Sequence, residues 1–196
     1  MPGLEEVRHY MRGLVLLMRH DPQGLRHFDF TDRGMMRSFW AVFWCLPPIL
    51  ISWAWRRALF VEGMPDGFET GTLFYGRLAM VEVANWLTPV VLAGLMLLGL
   101  GAIRLFPAVV VVTNWLSVPF SYAFTVLVLM LATAPALGTI VSLIWLVMVL
   151  ALVVVLFRIL AFLTKGQALM TGTLTMLLLV PPLLVTDWLQ QYLGVY

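Results

Sequence analysis

Four polar side chains stand inside otherwise apolar stretches: Glu82, Asn85, Asn114 and Arg158. A carboxyl in such a setting is costly to bury, and it marks either a proton or ion path or a neighbouring cation. An amide there bonds across helices, typically for about 0.6–2 kcal/mol, or lines a small polar cavity. Glu82 is expected about one turn inside its helix. There it would snorkel to the interface or pair with Arg77, Arg56 or Arg57. Arg158 falls near a helix end, and its long stem can carry the guanidinium to the headgroups. The two belong to opposite ends of the bundle and are not expected to meet.

Both amides sit in similar settings. Asn85-Trp86-Leu87-Thr88-Pro89 is echoed by Asn114-Trp115-Leu116-Ser117-Val118-Pro119. Each places an amide, an indole and a hydroxyl before a proline. The hydroxyls are suited to satisfy carbonyls that a proline frees. Structural bonding between helices is the first reading of the amides, and a polar cavity lining is the second.

Other chemistry is missing. There is no Gly-rich phosphate loop of the Walker type, no HExxH, no GxSxG and no pair of aspartates in facing spans. His9, His20 and His27 match no compact metal motif and are expected to be solvated. No histidine lies in the apolar stretches, which excludes a bis-histidine haem. Cys45 is the single cysteine and has no base nearby in the sequence. The largest loop after the first span, Leu59 to Gly76, has 18 residues and holds no catalytic domain. The chain is therefore expected not to be an enzyme, with no cofactor and no catalytic or metal residues. A formal charge of +2 is too small to suggest nucleic-acid binding.

The elements that position these residues follow from charge gaps. Between Arg104 and Arg158 there is no Asp, Glu, Lys, Arg or His for 53 residues. As one helix this run would be roughly 80 Å long at about 1.5 Å per residue, against a hydrocarbon core of about 30 Å. It must fold back once. Three further gaps, 38–55, 83–103 and 166–186, hold one span each. The chain is 62% hydrophobic and 11% charged, with a mean hydropathy of +0.96, whereas soluble domains carry about 25% charged residues. The fold class is all-α: a polytopic membrane helix bundle of five spans near 33–59, 78–102, 106–132, 137–163 and 168–188. Leu143 to Phe157 shows no alternation of polarity, which disfavours β-barrel strands. The fold-back is expected at Thr133-Ala134-Pro135-Ala136, with further turns near Gly101–Pro107 and at Lys165-Gly166. Pro47-Pro48 and Pro181-Pro182 are expected to interrupt the first and fifth spans. Ala134, Gly138 and Ser142, and likewise Ala168 and Gly172, space small residues by four, as close helix approach requires. Trp40, Trp44, Trp53, Trp55, Trp86 and Trp188 mostly fall toward span ends, as an interfacial aromatic belt does.

Residues 1–32 form a polar N-terminal segment, and 33–196 the five-helix transmembrane domain. Leu4 to Met18 reads as an amphipathic helix, with Glu5, Arg8, Arg12 and Arg19 on one side and Leu4, Val7, Met11, Leu14, Val15 and Met18 on the other. It is expected to lie in the headgroup layer, or to dock on the bundle or on a partner. Pro22 ends it, and Thr31 or Asp32 caps the first span. The first 37 residues hold six Arg, two Glu, three Asp and all three His. That is too polar for a signal h-region, so the first span is expected to act as an uncleaved signal anchor. With the N-terminus inside, nine Lys and Arg fall on the cytoplasmic side and three, Arg56, Arg57 and Arg77, outside. The expected location is a bacterial inner membrane, N-terminus cytoplasmic and C-terminus outside.

The order of elements resembles the Yip family of five-span membrane proteins, particularly its small bacterial relatives. The resemblance rests on the polar N-terminal segment and on Phe28-Asp29-Phe30-Thr31 leading into Gly34-Met35-Met36-Arg37-Ser38-Phe39. Thr113-Asn114-Trp115 in the third span and a final span soon after Lys165-Gly166 complete it. It implies a fold and topology but no defined reaction. The trafficking role of eukaryotic members does not carry over, because their cytoplasmic Asp-Leu-x-Gly-Pro motif is absent.

Two functions follow as expectations. The first is an accessory or organising component that binds lipids and a membrane-protein partner. The second is a small solute- or proton-coupled transporter or channel, with a homo-oligomer in view. A cavity joining Glu82 to Asn114 favours transport; a dry, closely packed bundle favours the accessory role.

Overall fold

A computed structural model describes residues 3–65 and 70–195. Among these residues every regular element is helical. Helix α1 runs Leu4–Met18, α2 Asp32–Ser38, α3 Ala41–Glu62, α4 Thr72–Gly99, α5 Phe106–Thr133, α6 Gly138–Leu163 and α7 Ala168–Leu193. Short 3-10 turns at Pro22–His27, Ile103–Leu105 and Pro135–Leu137 join them. Five stretches are long and apolar enough to cross a membrane: Asp32–Glu62, Thr72–Gly99, Ile103–Thr133, Pro135–Leu163 and Ala168–Leu193.

The turns fall where proline and glycine demand them. The long apolar run folds back at Ala134-Pro135. Gly101 (φ +66°) closes the turn after α4, and Lys165 (φ +54°) with Gly166 (φ +77°) closes the one after α6. Thr31, rather than Asp32, caps α2: its Oγ1 accepts from the Gly34 N–H at 3.1 Å.

Two proline expectations are corrected. Helices α3 and α7 run continuously through Pro47-Pro48 and Pro181-Pro182. The first span breaks instead at Phe39-Trp40, between α2 and α3. Nor do the hydroxyls of α5 serve its proline. Ser117 Oγ donates to the Asn114 carbonyl at 2.7 Å, not to the Trp115 carbonyl, which loses its helical donor to Pro119.

Helix α5 is the axis of the bundle. It packs on α2, α3 and α6, and α4 packs most extensively on α7. Val109, Val110, Val111 and Val112 are all buried, so no face of that stretch is left for solvent or lipid. Helix α6 is the opposite case. Leu143, Trp145, Leu146, Val147 and Leu150 are more than half exposed, an apolar surface suited to lipid.

The N-terminal helix docks on this bundle. Val7, Tyr10, Leu14 and Leu17 join one core with Trp115, Leu156 and Ile159. The buried stripe is rotated by roughly a fifth of a turn from the expected one. Leu4, Val15 and Met18 are exposed, and Tyr10 and Leu17 take the buried places. Tyr10 stacks on Trp115 with ring centroids 4.5 Å apart, a geometry worth about 0.5–1.5 kcal/mol beyond burial. Across the same joint, Arg37 Nη2 meets Glu6 Oε2 at 2.6 Å.

The close helix approaches are not where four-residue spacing places them. A Cβ on Gly172 would meet nothing within 4 Å, and one on Gly138 only the end of Leu131 at 3.8 Å. The tight positions are Gly13 and Gly24, which face each other at the α1 joint, Gly34 against Asp29, and Gly94 on α4, where a Cβ would stand 3.2 Å from the Phe106 ring. The histidines also depart from a uniformly solvated segment. His9 and His20 are exposed, but His27 is half-buried with its ring 4.5 Å from that of His9.

Burial and the Glu6 carboxylate beside it push the Tyr10 phenol up to about 12 from 10.0. The raised value belongs to the docked state, so the protonated phenol favours docking. That contribution is complete below about pH 10 and is lost as pH rises from 10 toward 12. The melting temperature of the purified protein is expected to fall over that window. Tyr10→Phe, which keeps the stack, should remove the Tyr10 share of the fall; an identical profile in the variant would refute the linkage.

Candidate functional site

Helix α4 begins at Thr72, six residues earlier than expected. Glu82 is therefore ten residues into a 28-residue helix, about 5 Å from its midpoint at about 1.5 Å per residue. Among the described residues no ion pair within 4 Å joins Glu82 to Arg56, Arg57 or Arg77. Arg57 Nε donates to Thr70 Oγ1 at 2.7 Å. Glu82 Oε1 instead accepts from the Trp53 indole N–H, at 3.4 Å.

Glu82 lines a cavity of about 320 Å³ together with Asn85 and Asn114. At about 30 Å³ of liquid volume per water, that is room for roughly ten waters. Helices α3, α4, α5, α6 and α7 all contribute walls. Cys45, Thr113, Ser117 and Ser121 complete the polar lining. Arg158 is exposed near the end of α6 and takes no part. Three of the four singled-out residues thus meet at one place, and the fourth stands apart, at the end of the bundle where α1 docks.

Both amides also bond across helices. Asn114 is buried on α5 and donates through Nδ2 to Ser38 Oγ at 2.9 Å. Ser38 spends its own hydrogen on the Met35 carbonyl at 2.7 Å. It can therefore only accept from Asn114, which fixes the amide orientation and leaves Asn114 Oδ1 as an acceptor. Asn85 Oδ1 accepts from Thr186 on α7 at 3.5 Å. The two readings of the amides hold together: each ties helices and each lines the cavity.

Sequence reasoning did not gather Cys45, Ser117 and Ser121 with these residues. Ser121 Oγ lies 3.5 Å from Cys45 Sγ, and Ser117 Oγ lies 3.8 Å from it. The available signal was the four-residue step from Ser117 to Ser121, which continues the face of Asn114 along α5. No group of three His, Cys, Asp or Glu suited to a metal occurs among the described residues.

The protein is an all-α helical bundle with five helices long and apolar enough to cross a membrane, and one carboxyl and two amides, of which Asn85 is exposed, line an open-sided cavity in it. No family model, no curated protein and no solved structure matches the chain.

Proposed function

We propose that the protein passes a small polar solute or proton across a bacterial inner membrane, with Glu82 as the group that binds or couples. It is not an enzyme in this reading. The single observation that carries it is the cavity joining Glu82 to Asn85 and Asn114 in the middle of the bundle. A carboxyl held near the midpoint of a membrane helix is costly. The cavity supplies a reason for that cost. The Lys and Arg bias supports an N-terminus in the cytoplasm and a C-terminus outside.

The accessory role stands second. It is favoured by the apolar exposed face of α6, which a partner membrane protein or a second copy would cover as well as lipid does. The buried stripe of α1 weighs against it, because that face is already occupied by the bundle. The Yip resemblance is retained as a proposal about layout alone, supported by one polar N-terminal segment followed by five candidate spans.

Reconstituted in liposomes, the wild-type chain is expected to raise permeability to protons or small polar solutes above that of empty vesicles. Glu82→Gln should return it to the empty-vesicle level with yield and melting temperature preserved. Full flux in a well-expressed Glu82→Gln protein would remove Glu82 as the coupling group.

A further inference from the structure

The lining of the cavity has a hydrogen-bonding sign. Ser117 gives its hydrogen to the Asn114 carbonyl at 2.7 Å, and Ser121 gives its own to the Val118 carbonyl at 2.8 Å. Thr113 is shared between the Val109 and Val110 carbonyls at 2.8 and 3.1 Å. With the Ser117 hydrogen spent on the backbone, the Cys45 thiol donates toward Ser117 Oγ at 3.8 Å, and the Ser121 hydroxyl is shared between the Val118 carbonyl and Cys45 Sγ. Asn114 Nδ2 is held by Ser38. What remains for a ligand is a set of acceptors: the hydroxyl lone pairs, Asn114 Oδ1 and the Glu82 carboxyl. The donors left over are the Asn85 amide, the second hydrogen of Asn114 Nδ2 and the Trp86 indole N–H. No Lys, Arg or His lines the cavity.

We infer that the cavity takes a small organic cation carrying an ammonium group. This deepens the transport reading and rests on it. An ammonium brings up to three N–H donors and a positive charge to acceptors and a carboxylate. An anion would find only neutral donors and the Glu82 carboxylate, the one charged group in the lining, which repels it. The rest of the wall is hydrocarbon and aromatic, including Ile49, Val90, Leu152 and Leu178 beside the rings of Trp86 and Phe120. That wall suits the alkyl part of an organic cation, and aromatic faces attract the charge. A bare metal ion would leave the hydrocarbon wall without a partner.

Cys45 is the single cysteine and lies in the lining, so the native chain carries its own reporter. The test uses three methanethiosulfonate reagents on the full chain in detergent: neutral methyl, cationic trimethylammonium-ethyl and anionic sulfonatoethyl. In each, the Cys45 thiolate forms a mixed disulfide and displaces methanesulfinate. Rates are referenced to a free thiol in the same buffer. The expected result is a cation-over-anion preference at least about tenfold above that reference, the scale on which a charged cleft concentrates counter-ions. The preference should collapse in Glu82→Gln. Butylammonium chloride should slow the reaction, whereas sodium butyrate and sodium chloride should not.

The same series on Ser121→Cys in a Cys45→Ala chain guards against a thiol buried too tightly to react. Equal rates for the two charged reagents, or faster reaction with the anion, would overturn the cation assignment and leave a solute cavity standing. Protection by sodium chloride equal to that by butylammonium would overturn the organic class. Failure of both charged reagents at both positions would sink the cavity reading itself, because a space filled by a lipid chain admits neither.

Discussion

Trp115→Ala is expected to cost about 3–5 kcal/mol of stability, the range for emptying a large aromatic site in a packed core. Trp115 is the largest fully buried side chain, at 1% exposure, and it meets α1 through Tyr10. Its removal opens a void under the docked helix and takes away the ring on which Tyr10 stacks. The loss should therefore appear twice. The melting temperature falls, and α1 becomes open to trypsin at Arg12 and Arg19. Trp188→Ala is the control. Trp188 is 62% exposed near the end of α7 and, among the described residues, its one ring neighbour is Tyr192. A change in that variant as large as in Trp115→Ala would contradict the core placement of Trp115.

Gly24→Ala should cost about 2–3 kcal/mol, the upper part of the usual range for overpacking. A Cβ on Gly24 would stand 2.5 Å from the Gly13 carbonyl oxygen, 2.7 Å from Leu17 Cγ and 3.0 Å from the Leu17 nitrogen. Two of those three atoms are α1 backbone, so no rotamer change relieves the clash. The helix itself must lift from the 22–27 turn. Gly172→Ala is expected to have the opposite sign. Nothing lies within 4 Å of its added Cβ, and alanine in a helix interior gains about 0.5–1 kcal/mol over glycine. Chemical unfolding of the two variants side by side decides the matter. Equal destabilisation would mean that the α1 joint is looser than its contacts imply.

The α1 joint and the cavity are neighbours in the chain of contacts. Ser38, which closes α2, holds Asn114 through its hydroxyl. Arg37, one residue before, holds Glu6 of α1. Trp115, the residue after Asn114, holds Tyr10. A segment that reads as a separate polar arm is thus bonded to the helix that carries one wall of the cavity.

Much of the fold was legible from residue order alone. The 53-residue gap in charge forced a fold-back, and Thr133-Ala134-Pro135, midway along the run, was the place where a helix could end. The limits of α1 were legible because apolar spacing starts at Leu4 and Pro22 follows its end. These are local properties: backbone sterics and the transfer of apolar length out of water act on a stretch wherever the rest of the chain lies. The start of α4 was missed, because charge gaps mark where ions are absent, and Arg77 and Glu82 sit within the helix.

Only the tertiary structure decided which partner each side chain met. Glu82 and Asn114 are far apart in sequence, and nothing local states that five helices leave a cavity between them. Gly13, Gly24 and Gly172 are the same residue type in helical or turn settings, yet one pair touches backbone and the last touches nothing. Asn114 and Asn85 share a similar sequence setting and bond to different helices. A residue's spacing determines the face of its helix. What that face meets depends on how the other helices cross it, which is a sum over the whole bundle and over no single stretch of the chain.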